Sequence, residues 1–247
     1  MINSFRVKLA KKEELAPEIF QLRYELQQPQ QISFLAGQFA SFVVDKKIRR
    51  SYSISSAPSD NGAIETIVDI KPDGPGSRFF AGAEEGDVAE FLAPLGRFVY
   101  EDKSDHIPNE TGKTGDPPAI FLATGTGITP FLSMFAEQLH DKENRRPFKL
   151  YWGLRYDRDV YLTSNLQELA DKFTNFNYQL TLSKPTQKWQ GRRGYITSHI
   201  IEDWHQIDKI DSADFYLCGG GTMIDSAVEE LTIKGISDEQ IHYEKFY

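Results

Sequence analysis

The chain has 247 residues, 40% of them hydrophobic and 26% charged, the mix of a folded protein with room for one large domain or two small ones. Its net charge of −8, from 28 basic and 36 acidic residues, gives no basic footprint and argues against a nucleic-acid partner. A single cysteine, Cys218, excludes an internal disulfide and an iron–sulfur cluster ligated by this chain alone, and the five histidines lack zinc-site spacing, so no metal is expected.

The opening stretch MINSFRVKLAKKEE has no apolar stretch of the signal-peptide kind. No run approaches the ~20 apolar residues that cross a bilayer. The expectation is a cytoplasmic protein with no integral membrane segment.

The first hundred residues read as short strands. Phe5, Val7 and Leu9 alternate with polar neighbours, and so do Phe20, Leu22, Tyr24 and Leu26. Further strands are expected over 38–44, 51–56, 63–70 and 88–92. Turn signals separate them: Pro29, Ala36-Gly37, Asp60-Asn61-Gly62 and Pro72-Asp73-Gly74-Pro75-Gly76. Strands at this spacing predict a small antiparallel β-barrel over 1–100. Residues 101–118, EDKSDHIPNETGKTGDPP, are polar and read as a linker or long surface loop.

The rhythm then changes. AIFLA at 119–123 is an apolar run suited to a strand buried on both faces. Ile128, Phe131, Leu132, Phe135 and Leu139 follow at helical spacing. Strands over 148–153, 178–182 and 215–218 alternate with helices over 161–173, 195–204 and 223–233. A last strand takes in Ile241 and Tyr243. This order predicts an α/β domain with a parallel nucleotide-binding sheet over 119–247.

Three stretches carry chemistry. RRSYSISSAP at 49–58 alternates like a strand, yet its outward positions carry arginine, tyrosine and several serines rather than a plain solvent face. ATGTGITPF at 123–131 places glycines between a buried strand and a helix, where backbone N–H groups can meet phosphate. FYLCGGGTMIDSAVEEL at 215–231 repeats that plan, with Thr222 and Asp225 fitting an N-terminal capping pattern. Cys218 taken alone reads as a small buried hydrophobe.

Together these stretches resemble the ferredoxin–NADP⁺ reductase family. Arg50-Ser51-Tyr52-Ser53 is similar to its Arg-x-Tyr-Ser flavin motif, and Gly76-Ser77 to its second flavin motif. Leu35-Ala36-Gly37-Gln38-Phe39 is similar to its Pro-Gly-Gln-Phe segment, with Ala36 replacing proline. Gly125-Thr126-Gly127-Ile128-Thr129-Pro130 and Cys218-Gly219-Gly220, with Met223 behind, match its nucleotide side. The resemblance spans nearly the whole chain, in the family's order.

It implies FAD in the barrel and NAD(P)H on the sheet. Arg50, Gly76 and Ser77 then meet the flavin pyrophosphate, Tyr52 lies on the isoalloxazine, and Ser53 hydrogen-bonds near its N5. A strand places residues 50 and 52 on one face and 53 on the other, so Ser53 must reach the flavin at the strand's end or through a bend. Cys218 and Ser53 flank the contact between the two ring systems. A C-terminal aromatic, Phe246 or Tyr247, covers the flavin where nicotinamide binds, the alternative being a frayed tail. Arg155, Ser183, Lys184 and Arg192 follow the second and third strands of the sheet. With no carboxylate at the Ser183–Lys184 corner, positive charge there suits a 2′-phosphate, so NADPH is expected, with NADH the alternative.

The acceptor stays open. One expectation is a ferredoxin or oxygenase-type iron–sulfur partner. A second is reduction of free flavins or quinones. A third, of another class, is a regulatory subunit that binds nucleotide without turnover.

Overall fold

The computed structural model describes residues 2–101 and 116–246. Two compact units divide them. One takes residues up to Tyr100 together with Thr129–Glu143, the other Glu101–Ile128 and the chain from Asn144 onward. Most of the expected linker, 102–115, lies outside the described residues.

The first unit contains β1 (Asn3–Ala16), β2 (Ile19–Gln28), β3 (Phe39–Asp45), β4 (Ile48–Ser53), β5 (Ala63–Asp69), helix α1 (Pro75–Gly82) and β6 (Val88–Leu95). Its strands form an antiparallel sheet in the order β4-β3-β6-β1-β2-β5. The two ends of that order meet: Ser55 N–H donates to the Glu65 carbonyl at 2.8 Å, and Thr66 Oγ1 donates to the Ser53 carbonyl at 2.9 Å. The sheet thereby curls into a barrel. Alternation supplies the core, since Phe5, Val7 and Leu9 of β1 and Leu22, Tyr24 and Leu26 of β2 are all buried. Phe42 sits at its centre, with ring centroids 5.1 Å from Phe91, 5.2 Å from Tyr24 and 5.3 Å from Phe80. Burying one such ring contributes about 1.5–3 kcal/mol.

The second unit contains β7 (Ala119–Thr124), β8 (Phe148–Leu154), α3 (Thr163–Lys172), β9 (Phe176–Leu182), β10 (Arg192–Arg193), α4 (Ile196–Glu202), β11 (Asp214–Gly220), α5 (Gly221–Ile233) and β12 (Ile241–Phe246). Every pairing is parallel, in the order β10-β9-β8-β7-β11-β12. Residues 119–123 and 214–219 are buried throughout, as befits central strands covered on both faces.

The apolar spacing over 128–139 predicts one helix; the structure has three short turns of different pitch. They are a 3₁₀ turn at Gly125–Ile128, α2 at Thr129–Phe135 and a π turn at Ala136–Asp141. Helix α2 belongs to the first unit. Ser133 Oγ donates there to the Ser56 carbonyl at 2.7 Å, and Met134 packs where a Cβ on Gly37 would otherwise sit. Helix α5 starts at Gly221, earlier than expected, and the Thr222–Asp225 capping pattern is not formed. Gly220 is the N-cap, without a side-chain cap bond, and the Asp225 carboxylate instead accepts from Lys245 Nζ.

Candidate functional site

Strand β4 sets the candidate site of the first unit. Its antiparallel register pairs Ala40 with Tyr52 and Phe42 with Arg50. Directly paired residues share a face, so Arg50 and Tyr52 lie on the side of buried Ala40 and Phe42. Tyr52 is half-buried, its ring centroid 4.6 Å from Phe80 and 6.1 Å from Phe42. Burial pushes its phenol pKa up, and the Arg50 charge pulls the other way. Arg50 stays exposed at the rim.

The first turn of α1 is laid against this pair. A Cβ on Gly76 would fall 2.1 Å from the Tyr52 hydroxyl and 3.3 Å from Arg50 Cγ, so only bare backbone fits. Ser77 is buried beside it, and the N-cap, Gly74, supplies no side-chain cap bond. At the far end of α1, Lys12 Nζ donates to the carbonyls of Phe80, Ala81 and Ala83, each at 2.9 Å. A cation there complements the negative end of the helix and leaves its positive end beside Arg50. An uncapped helix start, an exposed guanidinium and a half-buried phenol ring make a surface for a flat ring joined to a pyrophosphate. The residues present fit FAD. Ser53 is the last residue of β4 and is buried. Beyond it Ile54 N–H donates to the Gln38 carbonyl at 3.0 Å, just ahead of β3, and Ser55 N–H to the Glu65 carbonyl of β5 at 2.8 Å.

The second unit has a candidate site of its own at the carboxyl edge of the parallel sheet. β7 leads outward one way to β8, β9 and β10, and β11 leads the other way to β12, so the order reverses between β7 and β11. Ligands of open α/β sheets bind at such a switch point. The loops that follow these two strands pack together. A Cβ on Gly127 would strike the Cys218 carbonyl at 2.2 Å, and one on Gly219, at φ +142°, would strike Thr124 Oγ1 at 2.2 Å. Thr124 Oγ1 also accepts from Gly220 N–H at 3.2 Å. Gly125, Thr126, Gly127, Cys218 and Gly219 are thus brought together.

The Cys218 thiol is buried. Its pKa is raised well above the ordinary value, first by burial and then by the Glu244 carboxylate on the neighbouring strand, against the Gly219 N–H. It is therefore a thiol at neutral pH and not a thiolate nucleophile. Phe246 pairs with Gly220 and so flanks this edge; Tyr247 lies outside the described residues. Met223 is half-buried and packs against the core beneath α5.

Arg155, Ser183 and Lys184 also meet. Ser183 N–H donates to the Leu154 carbonyl at 3.0 Å and Lys184 N–H to the Arg155 carbonyl at 2.8 Å, with both cationic side chains exposed. Arg192 differs: its Nη2 lies 2.7 Å from Asp203 Oδ1, which engages its charge. A carboxylate does stand near the corner. Asp157 accepts from Thr186 N–H at 2.7 Å and Thr186 Oγ1 at 3.0 Å, so the inference from a missing carboxylate does not hold. Asp157 is tied to the loop it would otherwise leave open. Asp157, Asp203 and Lys12 escape sequence reasoning because their partners are distant along the chain and form no local pattern.

Residues 6–100 match the oxidoreductase FAD-binding domain family, and residues 121–229 match the oxidoreductase NAD-binding domain family. Over 222 residues the chain is 30% identical to the anthranilate 1,2-dioxygenase electron transfer component of Acinetobacter baylyi, covering 89% of this chain but 60% of that protein. It is 28% identical over 251 residues to ferredoxin–NADP reductase B of Sorangium cellulosum, covering 98% of this chain and 97% of that one. Among solved structures, an Amycolatopsis cytochrome P450 reductase shares the fold with a TM-score of 0.85 at 24% identity, over 99% of this chain and 70% of that one. A ferredoxin–NADP⁺ reductase from Plasmodium falciparum shares it with a TM-score of 0.76 at 20% identity, over 99% and 97%.

Proposed function

This chain belongs to the ferredoxin–NADP⁺ reductase family, and from that premise we propose that it takes electrons from NADPH through FAD and passes them to a separate acceptor, a ferredoxin or the iron–sulfur component of an oxygenase. The observation that carries the reading is Gly76 held against Tyr52 and Arg50, which gathers ring platform, guanidinium and helix start into one cradle. Two relatives point to the acceptor class, one named a dioxygenase electron transfer component and one a ferredoxin–NADP reductase. A single cysteine cannot ligate a cluster alone, so the proposed acceptor lies outside these 247 residues.

Bound FAD supplies hydride acceptance from a reduced nicotinamide and release of electrons singly or in pairs. The chain's own residues bind, orient and shield. Arg50 and the backbone N–H groups of Gly76 and Ser77 neutralise the flavin pyrophosphate. Tyr52 offers its ring to the isoalloxazine, and Ser53 a hydroxyl at the end of β4. In the other unit the loops 125–127 and 218–220 take the nucleotide, with Arg155 and Lys184 toward its 2′-phosphate. Cys218 packs as a neutral thiol against that loop pair and moves no proton, while Phe246 shields the edge. No helix among the described residues is long and apolar enough to cross a membrane. We place the protein in the cytoplasm, where a lone buried thiol stays reduced.

Absorbance spectra test the proposal. The purified protein should be yellow, bleach when NADPH is added anaerobically, and recover its colour with a ferredoxin-type acceptor. Protein that is colourless and takes up no added FAD overturns the reading. Bleached protein that reoxidises with free FMN or quinone but with no iron–sulfur protein overturns the acceptor alone.

A further inference from the structure

Gly125 opens the loop that follows β7, and its carbonyl is held twice. Trp152 Nε1 donates to it at 3.0 Å and the Tyr161 hydroxyl at 3.2 Å. The two donors come from separate places: Trp152 from the middle of β8, in register with Ala123, and Tyr161 from the segment before α3. Both rings are buried, edge-on to each other with centroids 4.8 Å apart at 89°. Gly125 itself adopts φ +56°, the left-handed conformation that other L-residues reach at a cost of about 1–2 kcal/mol. A Cβ there would meet nothing within 4 Å, so glycine is needed for its backbone angle and not for space.

A carbonyl oxygen has two lone pairs, and here both have a donor. In a trans peptide the C=O of one residue and the N–H of the next point in opposite directions across a rigid plane. Anchoring the Gly125 carbonyl toward Trp152 and Tyr161 therefore fixes the Thr126 N–H in the reverse sense, away from the pair. Packing alone accounts for neither polar atom. A buried indole N–H needs some acceptor, but a phenylalanine at 161 would fill the same volume with no hydroxyl to place.

We propose that Trp152 and Tyr161 are positioning residues for nucleotide binding: they lock the Gly125–Thr126 peptide and so hold the loop 125–127 in the shape that receives a nicotinamide dinucleotide. The inference rests on the reading above that loop 125–127 takes the nucleotide. Neither side chain touches the ligand in this account; each acts through one peptide plane.

Tyr161→Phe removes one donor and keeps the ring. NADP⁺ and NAD⁺ are titrated calorimetrically into the flavin-loaded wild type and variant, and NADPH kinetics are followed with ferricyanide as acceptor. The expected result is a rise of about threefold to tenfold in Kd and KM, the worth of one hydrogen bond, with kcat within about twofold. Flavin content and spectrum stay as in the wild type. Trp152→Phe moves Kd the same way. A variant with unchanged Kd and KM overturns the positioning role. So does a variant whose kcat, flavin content and melting temperature all fall along with affinity, because that pattern is loss of structure. A wild type that binds neither nucleotide overturns this proposal and the nucleotide reading together.

Discussion

Gly76 and Tyr52 meet with no room between them: a Cβ on the glycine would stand 2.1 Å from the tyrosine hydroxyl oxygen. Strand β4 and the first turn of α1 are therefore locked in one relative position, and that position defines the proposed flavin cradle. Gly76→Ala must displace either the Tyr52 ring, which is braced by Phe80 and Phe42, or the start of α1. Overpacking of this kind costs about 1–3 kcal/mol. The variant should purify with less FAD than the wild type and unfold at lower urea. Full FAD occupancy, read from the ratio of flavin to protein absorbance, would falsify the cradle.

Arg146 and Asp214 form a buried ion pair at 2.6 Å, each side chain about one-twentieth exposed. Arg146 also donates to the carbonyls of Pro117 and Pro118, where the chain enters β7. Asp214→Ala leaves a guanidinium buried without its carboxylate, and breaking such pairs costs about 3–5 kcal/mol. Urea denaturation should show a loss near the lower bound, because the proline carbonyls still accept from Arg146. Replacing both partners, Arg146→Met with Asp214→Leu, should recover part of it. A single variant as stable as the wild type would show that the pair is not needed.

What could be read from sequence was what is local. The run 119–123, the glycines after it and those after Cys218 announce themselves within a few residues, because a doubly buried strand and a tight turn each impose their own composition. Which side of β4 meets the core is not legible in the sequence, for a physical reason. Alternation says which residues share a side, but only the pairing of Arg50 with Phe42 says which side meets the core. Strand β10 is two residues long and shows no period. Lys12 reaches α1 from 68 to 71 residues away, Arg146 reaches Asp214 across 68, and Asp157 reaches Thr186 across 29. Such partners follow from the folded topology and leave no trace in spacing.

Asp203 gives the second unit a sensitivity to acid. Burial alone would raise its pKa, but hydrogen bonds from Arg192 and Tyr151 and the charges of Arg192 and Lys149 outweigh burial and hold it below the ordinary value. A carboxylate whose pKa is lower folded than unfolded stabilises above the unfolded pKa, roughly 3.9, and that contribution is lost as pH falls through the folded value. Asp203→Asn should cost about 1.5–3 kcal/mol at pH 7. The gap between wild type and variant should shrink as pH drops below about 4. Urea denaturation of both proteins across pH 3 to 7 measures it. A gap that does not vary with pH would mean that the Asp203 charge does not matter to folding.

The proposed preference for NADPH rests on Lys184 and Arg155, which share a corner through the bond from Lys184 N–H to the Arg155 carbonyl and keep their charges in solvent. The other cation expected there, Arg192, is engaged by Asp203, and the nearby carboxylate of Asp157 is occupied by Thr186. The proposed discrimination between NADPH and NADH thus falls to two exposed side chains. Hydrogen bonds to a charged group are worth about 1.5–3 kcal/mol, so Lys184→Ala should lower kcat/KM for NADPH by about tenfold or more and leave that for NADH within about twofold. Because the charges are exposed, raising ionic strength from 0.01 M to about 0.15 M should erode the NADPH preference of the wild type and barely affect NADH. Lys184→Arg retains the charge and should keep most of the preference. Steady-state kinetics with both nucleotides decide the matter. A wild type with equal kcat/KM for the two, or a Lys184→Ala variant that weakens both alike, removes the 2′-phosphate from this corner.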